Sequence, residues 1–158
     1  MNARILIVDD HEVVRQGVRS VLQRARPEWE ICGEAMDGEE GVAAAKLLKP
    51  DVVILDITMP VMSGLEAAPK IAALPDKTRI LIFSMHESER IVNEIRQAGA
   101  HGYVQKSQAG RDLVNAIESL LAGGTFFGHR SNPKTSEGHG PFLGIFLRHA
   151  MEFSWASV

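Results

Sequence analysis

At 158 residues and 45% hydrophobic content, the chain has room for one domain and a short appendage. Its formal charge of −3 offers no broad basic surface for nucleic acid or membrane, and a single cysteine, Cys32, excludes an internal disulfide or a cysteine metal cluster. No apolar run approaches the roughly 20 residues that cross a bilayer, and the N-terminal run stops at Asp9 and Asp10, unlike a signal peptide; a soluble cytoplasmic protein is expected.

Ile5-Leu6-Ile7-Val8 predicts a strand buried on both faces. Val14, Val18, Val21, Leu22 and Ala25 share one helix face over residues 11–25. A weaker strand follows around Glu30–Ala35, with Cys32 as a small buried hydrophobe in it. Asp37 and Glu40 have capping-box spacing and open a helix that Pro50 ends. Residues 51–56, Asp-Val-Val-Ile-Leu-Asp, form the strongest strand signal. Ser63 and Glu66 predict a second capping box. Pro69 should kink the helix that follows or delay its start, and Gly41 and Pro69 are both poor choices inside helices. Arg79–Ser84 predicts the fourth strand, and Ile91, Ile95 and Ala98 a helix that Gly99 stops. Residues 101–105 make a short fifth strand. Leu113, Val114, Ile117, Leu120 and Leu121 mark the last helix, which Gly123-Gly124 ends.

Five strand–helix units with apolar strands predict an α/β fold, a five-stranded parallel doubly wound sheet over residues 1–122. Chemistry in such sheets collects beyond the carboxyl ends of the strands. That rule gathers Asp9 and Asp10 after the first strand, Asp56 at the third, Ser84 at the fourth and Lys106 after the fifth. Grouped carboxylates repel unless a cation joins them, and hard oxygen donors short of a full cage suit Mg²⁺. The set fits phosphoryl transfer to a carboxylate, with Asp56 as nucleophile, Lys106 and Mg²⁺ neutralising phosphoryl oxygens and Ser84 donating a hydrogen bond. Asp9-Asp10 alone would read as a helix cap, and Ser84 or Lys106 alone as ordinary surface polarity; their value lies in the set.

Ile7-Val8-Asp9-Asp10-His11, Asp56-Ile57-Thr58-Met59-Pro60 with Ser63-Gly64, Ser84, and Tyr103-Val104-Gln105-Lys106-Ser107 together resemble the receiver domain of two-component response regulators. The resemblance implies a flavodoxin-like receiver fold that accepts a phosphoryl group on Asp56 from a sensor histidine kinase. It implies Asp10 as a direct Mg²⁺ ligand, Asp9 as a second or water-mediated one, and Thr58 supplying a backbone carbonyl to the metal. It also implies Ser84 and Tyr103 as switch residues, and a partner surface or homodimer through the fourth helix, fifth strand and fifth helix, including Ile91, Ile95 and Tyr103. His11 reads as solvated or lightly hydrogen-bonded. His86, two residues past Ser84, lies near the expected phosphate rim, where it would tune phosphate lifetime.

Residues 123–158 differ: they are rich in glycine, carry no sustained period and turn apolar from residue 142 to 155. The Asp-Asp-His start and the Leu121-Ala122-Gly123-Gly124 ending resemble the subfamily with a LuxR-type helix-turn-helix output domain. The remaining length and pattern do not supply such a domain, and an output domain lost through a reading-frame change near residue 128 is one explanation. The leading reading is therefore a signalling switch acting through protein partners, without direct nucleic-acid binding, and not an enzyme beyond its own phosphoacceptor and autodephosphorylation chemistry. The alternative is a truncated LuxR-type transcriptional regulator acting through receiver dimerisation. An enzyme on the same architecture is disfavoured, because the acidic pair is adjacent rather than Asp-x-Asp and no glycine-rich phosphate loop follows the first strand.

Overall fold

The computed structural model describes residues 2–86 and 88–127. The elements alternate throughout. They run β1 (Arg4–Val8), α1 (Glu12–Ala25), β2 (Glu30–Ala35), α2 (Gly38–Leu48), β3 (Val52–Leu55), α3 (Gly64–Ala72), β4 (Arg79–Ser84), α4 (Glu89–Gln97), β5 (Gly102–Gln105) and α5 (Ala109–Leu121). A single 3-10 turn, Lys106–Gln108, leads into α5. The strands form one parallel sheet in the order β2-β1-β3-β4-β5.

Strand alternation divides the core into two layers. Ile5, Ile7, Val52, Ile54, Leu81, Phe83 and Val104 face α1 and α5, packing against Val14, Val18, Leu22, Leu113, Ile117 and Leu120. Leu6, Val8, Val53, Leu55, Ile80, Ile82 and Tyr103 face the other way, toward Ala45, Ala67, Ala68, Ile71 and Ile95. With both faces covered, the strands read as continuous apolar runs rather than alternating ones. The order reverses beside β1, so the loops after β1 and β3 leave in opposite directions and open a crevice there.

Local chemistry sets the helix ends. Asp37 accepts the Glu40 N–H, but the Glu40 carboxylate bonds the N–H of Met36, one residue before the position a closed capping box would use. Ser63 and Glu66 do close theirs. Lys49, left-handed at φ 50, ends α2 just before Pro50. Pro69 lies inside α3 without delaying its start at Gly64. Gly41 has a packing reason: a Cβ there would sit 2.9 Å from Val8 Cγ1, so glycine lets α2 lie close on β1. Cys32 is only partly buried, because β2 is an edge strand, and its thiol donates to the Ile5 carbonyl at 3.4 Å.

Residues 123–127, which the sequence pattern assigns to the tail, lie against the sheet. Phe126 forms a parallel bridge with Gly102 of β5 and packs on the α1–α5 layer. One bridge and two adjacent aromatics are too short a signal for any periodicity. The apolar stretch from residue 142 to 155 and the question of an output domain lie outside the described residues. Among the described residues, no helix is long and apolar enough to cross a membrane.

Candidate phosphoacceptor site

Each acidic residue stands one or two positions past a strand, where the ladder has ended but the backbone is still held. The Asp9 N–H donates to the Ala35 carbonyl at 3.0 Å and the Asp56 N–H to the Val8 carbonyl at 2.9 Å. Hydrogen bonds from these flanking strands fix the two carboxylates beside the crevice. Gly64 presses against the Asp56 backbone from the other side, and a Cβ there would lie 2.0 Å from the Asp56 carbonyl oxygen. The sequence shows Gly64 only as part of a motif; its role as the floor under Asp56 emerges from the packing. A further bond, Gly38 N–H to the Met62 carbonyl at 3.0 Å, ties the loop after β2 to the loop after β3.

Ligand atoms of Asp9, Asp10, His11 and Asp56 all lie within 4.8 Å of one another. Asp9 and Asp56 are buried at 2% and 6% exposure. Lys106, buried at 7%, reaches in from the 3-10 turn, its ammonium 2.7 Å from Asp9 Oδ2 and 3.4 Å from Asp56 Oδ1. The hydrocarbon stem of such a lysine can lie in an apolar wall while its head meets the carboxylates. Burial, followed by the charge of Asp9, drives the Asp56 carboxyl up to about 7, although Lys106 pulls the other way. Burial would lower the Lys106 pKa, but Asp9 and Asp56 outweigh it and hold it above the ordinary lysine value. One ammonium thus does not fully compensate the clustered carboxylates.

The oxygens are not equivalent. Asp9 Oδ2 is taken by Lys106, and Asp9 Oδ1 accepts the His11 N–H at 2.9 Å. Asp10 Oδ1 is buried without a hydrogen-bond partner; His11 Nδ1 approaches to 3.1 Å out of hydrogen-bonding alignment. An orphaned carboxylate oxygen beside a carboxyl with a raised pKa is what a divalent cation would complete, so the donor set fits Mg²⁺. His11, expected to be solvated or lightly hydrogen-bonded, contacts both acidic neighbours, with Nδ1 3.3 Å from Asp9 Oδ1.

Thr58 lies two residues past Asp56, exposed, in the loop before α3. Ser84 is fully buried at the end of β4, and its Oγ accepts the His86 N–H at 3.2 Å. Tyr103 is buried on β5 and donates its hydroxyl to the His86 carbonyl. His86 therefore joins Ser84 to Tyr103 through its backbone, a role that sequence position alone does not reveal.

Residues 5–118 match the response regulator receiver domain family. The chain belongs to the response regulator receiver family. Relatives include the nitrate/nitrite response regulator NarL of Escherichia coli, 38% identical over 77% of this chain and 56% of that protein. The response regulator UvrY of the same organism is 38% identical over 75% of this chain and 54% of that one. This receiver thus spans about half the length of the curated relatives it matches. Among solved structures, a LuxR-family two-component response regulator from Aurantimonas sp. SI85-9A1 superposes with TM-score 0.75 at 34% identity, covering 96% of this chain and 99% of that one. The non-phosphorylated receiver domain of the stress response regulator RcsB from Escherichia coli gives TM-score 0.74 at 26% identity, over 82% and 100%. The relatives place this receiver with LuxR-type response regulators in two-component signalling.

Proposed function

We propose that this receiver takes a phosphoryl group on Asp56 from the phosphohistidine of a sensor histidine kinase and passes the signal on by reshaping a partner-binding surface. The observation that carries the reading is the buried carboxylate cluster bridged by Lys106, with Asp10 Oδ1 left without a hydrogen bond. An Asp56 carboxylate oxygen forms a bond to phosphorus as the donor's P–N bond breaks, the electron pair going to the imidazole nitrogen. Lys106 holds one developing phosphoryl charge, and Ser84 donates its hydroxyl to a phosphoryl oxygen. Asp10, Asp56 and the Thr58 carbonyl would hold Mg²⁺, with Asp9 acting through water because both its oxygens are engaged. The bound ion supplies charge neutralisation at the phosphoryl oxygens.

The receiver's own reactions are phosphorylation and slow hydrolysis of its aspartyl phosphate; it is a switch and not a metabolic enzyme. His86, near the rim, tunes the lifetime of that phosphate. The output passes through protein contacts at α4, β5 and α5, with a homodimer as one use of that face; of the residues expected on it, Ile91 is partly exposed, whereas Ile95 and Tyr103 are buried in the core and support the face from beneath. The setting is cytoplasmic, and the names of relatives, such as the transcriptional regulatory protein DegU, support control of transcription as the outcome. Calorimetric titration of Mg²⁺ tests the site: Asp10→Asn is expected to weaken binding by about ten-fold or more, as loss of a charged ligand should. Equal affinity in the two proteins would remove Asp10 from the site.

A further inference from the structure

The chain stays on the sheet after α5. Gly123, at φ 88, turns the backbone, and the Arg79 guanidinium donates to the carbonyls of Gly123 at 3.3 Å and Gly124 at 2.6 Å. Phe126 then runs parallel to β5: its N–H donates to the His101 carbonyl at 3.1 Å, and its carbonyl accepts the Tyr103 N–H at 2.6 Å. The approach is close enough that a Cβ on Gly102 would lie 2.8 Å from the Phe126 oxygen. Successive side chains go to opposite faces, as in a strand. Phe126 packs on the α1–α5 layer and Phe127 on the opposite layer, where the Arg96 guanidinium of α4 lies 3.8 Å from its ring centroid.

An outer strand presents backbone donors and acceptors that an extended segment can use, with side-chain seats on either face adding specificity. The added segment is held by two backbone bonds at Phe126, by Arg79 at Gly123 and Gly124, and by two ring contacts with partly buried phenylalanines, a shorter ladder than any inner strand has, so its local opening should cost less than global unfolding. It is also wired to the switch. Tyr103 bonds Phe126 through its backbone and His86 through its hydroxyl, and the His86 N–H rests on Ser84 Oγ. Turning Ser84 Oγ toward a phosphoryl group on Asp56 takes the acceptor from His86 and frees the loop that leads into α4. That helix carries Arg96, the residue that seats Phe127.

We propose that the outer edge of β5 is a docking groove for an extended segment, that residues 125–127 of the same chain fill it in the unphosphorylated state, and that they leave it when Asp56 is phosphorylated. The inference rests on the phosphoacceptor reading above. Departure bares the β5 edge.

Residue-resolved amide exchange on the full chain in Mg²⁺, with and without beryllofluoride as a phosphoryl stand-in, tests it. The Tyr103 and Phe126 amides are expected to exchange about ten-fold faster or more with beryllofluoride, while the Val53 amide in the sheet centre does not change. Arg96→Ala is expected to speed the same two amides without any analogue. A bound-fluoride resonance with unchanged or slower exchange at Tyr103 and Phe126 overturns the inference and leaves the phosphoacceptor reading standing. Absence of that resonance overturns the phosphoacceptor reading, and the inference with it.

Discussion

His101 shows how a single side chain ties stability to pH. Its Nδ1 accepts the Ile80 N–H at 3.0 Å, so the ring serves as an acceptor between β4 and β5. Burial, and then the nearby Arg79 charge, hold its pKa below the ordinary histidine value. The unfolded chain takes up this proton at higher pH than the folded one. The group's contribution to stability is therefore complete above about pH 6.5 and is lost as pH falls through the depressed folded value. Protonation also removes the lone pair that Ile80 uses. Thermal unfolding at pH 7.5 and pH 5 is expected to show a smaller acid loss for His101→Gln than for the wild type; equal losses would mean that the ring does not titrate in this way. The same residue-scale logic separates the carboxylates at the site. Asp9 spends its oxygens on Lys106 and His11, Asp10 keeps one without a hydrogen bond, and Asp56 holds its proton up to about 7.

At the scale of elements, the loop between β3 and α3 carries visible strain. Val61 has φ 66, a region that a β-branched residue rarely enters, and the Met62 N–H reaches back to the Pro60 carbonyl at 2.7 Å across it, a tight γ-turn. Val61 is exposed, so its side chain returns little burial. Val61→Gly is expected to stabilise the fold by about 1 kcal/mol, where glycine usually costs stability, and to raise the melting temperature by several degrees. A lower melting temperature would show that the turn is not strained. Element positions were largely legible in the sequence. Arg79–Ser84 falls where its apolar run and breakers put it, because a strand covered on both faces leaves an uninterrupted signal, whereas Glu30–Ala35, a half-exposed edge strand, leaves a weaker one. Gly41 was misleading, since its reason lies in the approach of α2 to Val8 rather than in local propensity. The segment beside β5 was illegible because one residue pair has no period. The acidic residues and Lys106 could be read from strand-end logic, whereas the His86 backbone relay between Ser84 and Tyr103 could not, since a backbone bond leaves no mark on residue type.

At the scale of the molecule, the reversal of strand order beside β1 brings distant residues to one crevice: Lys106 meets Asp9 across 97 positions of sequence. Every side chain assigned to the site lies between Asp9 and Lys106, and the packing that holds them closes with Phe126 and Phe127. A chain ended after residue 127 is accordingly expected to keep its fold and to bind Mg²⁺ within about two-fold of the full chain, by calorimetry. A ten-fold or greater loss would assign residues 128–158 a part in the site. The central claim, that Asp56 accepts a phosphoryl group in a magnesium-dependent reaction, has a direct measurement. Incubation with Mg²⁺ and a small-molecule phosphodonor, followed by intact-mass spectrometry, is expected to show one added phosphoryl group in the wild type and none in Asp56→Asn or without metal. An adduct that persists in Asp56→Asn, or a wild type that binds neither metal nor phosphate, would contradict the account.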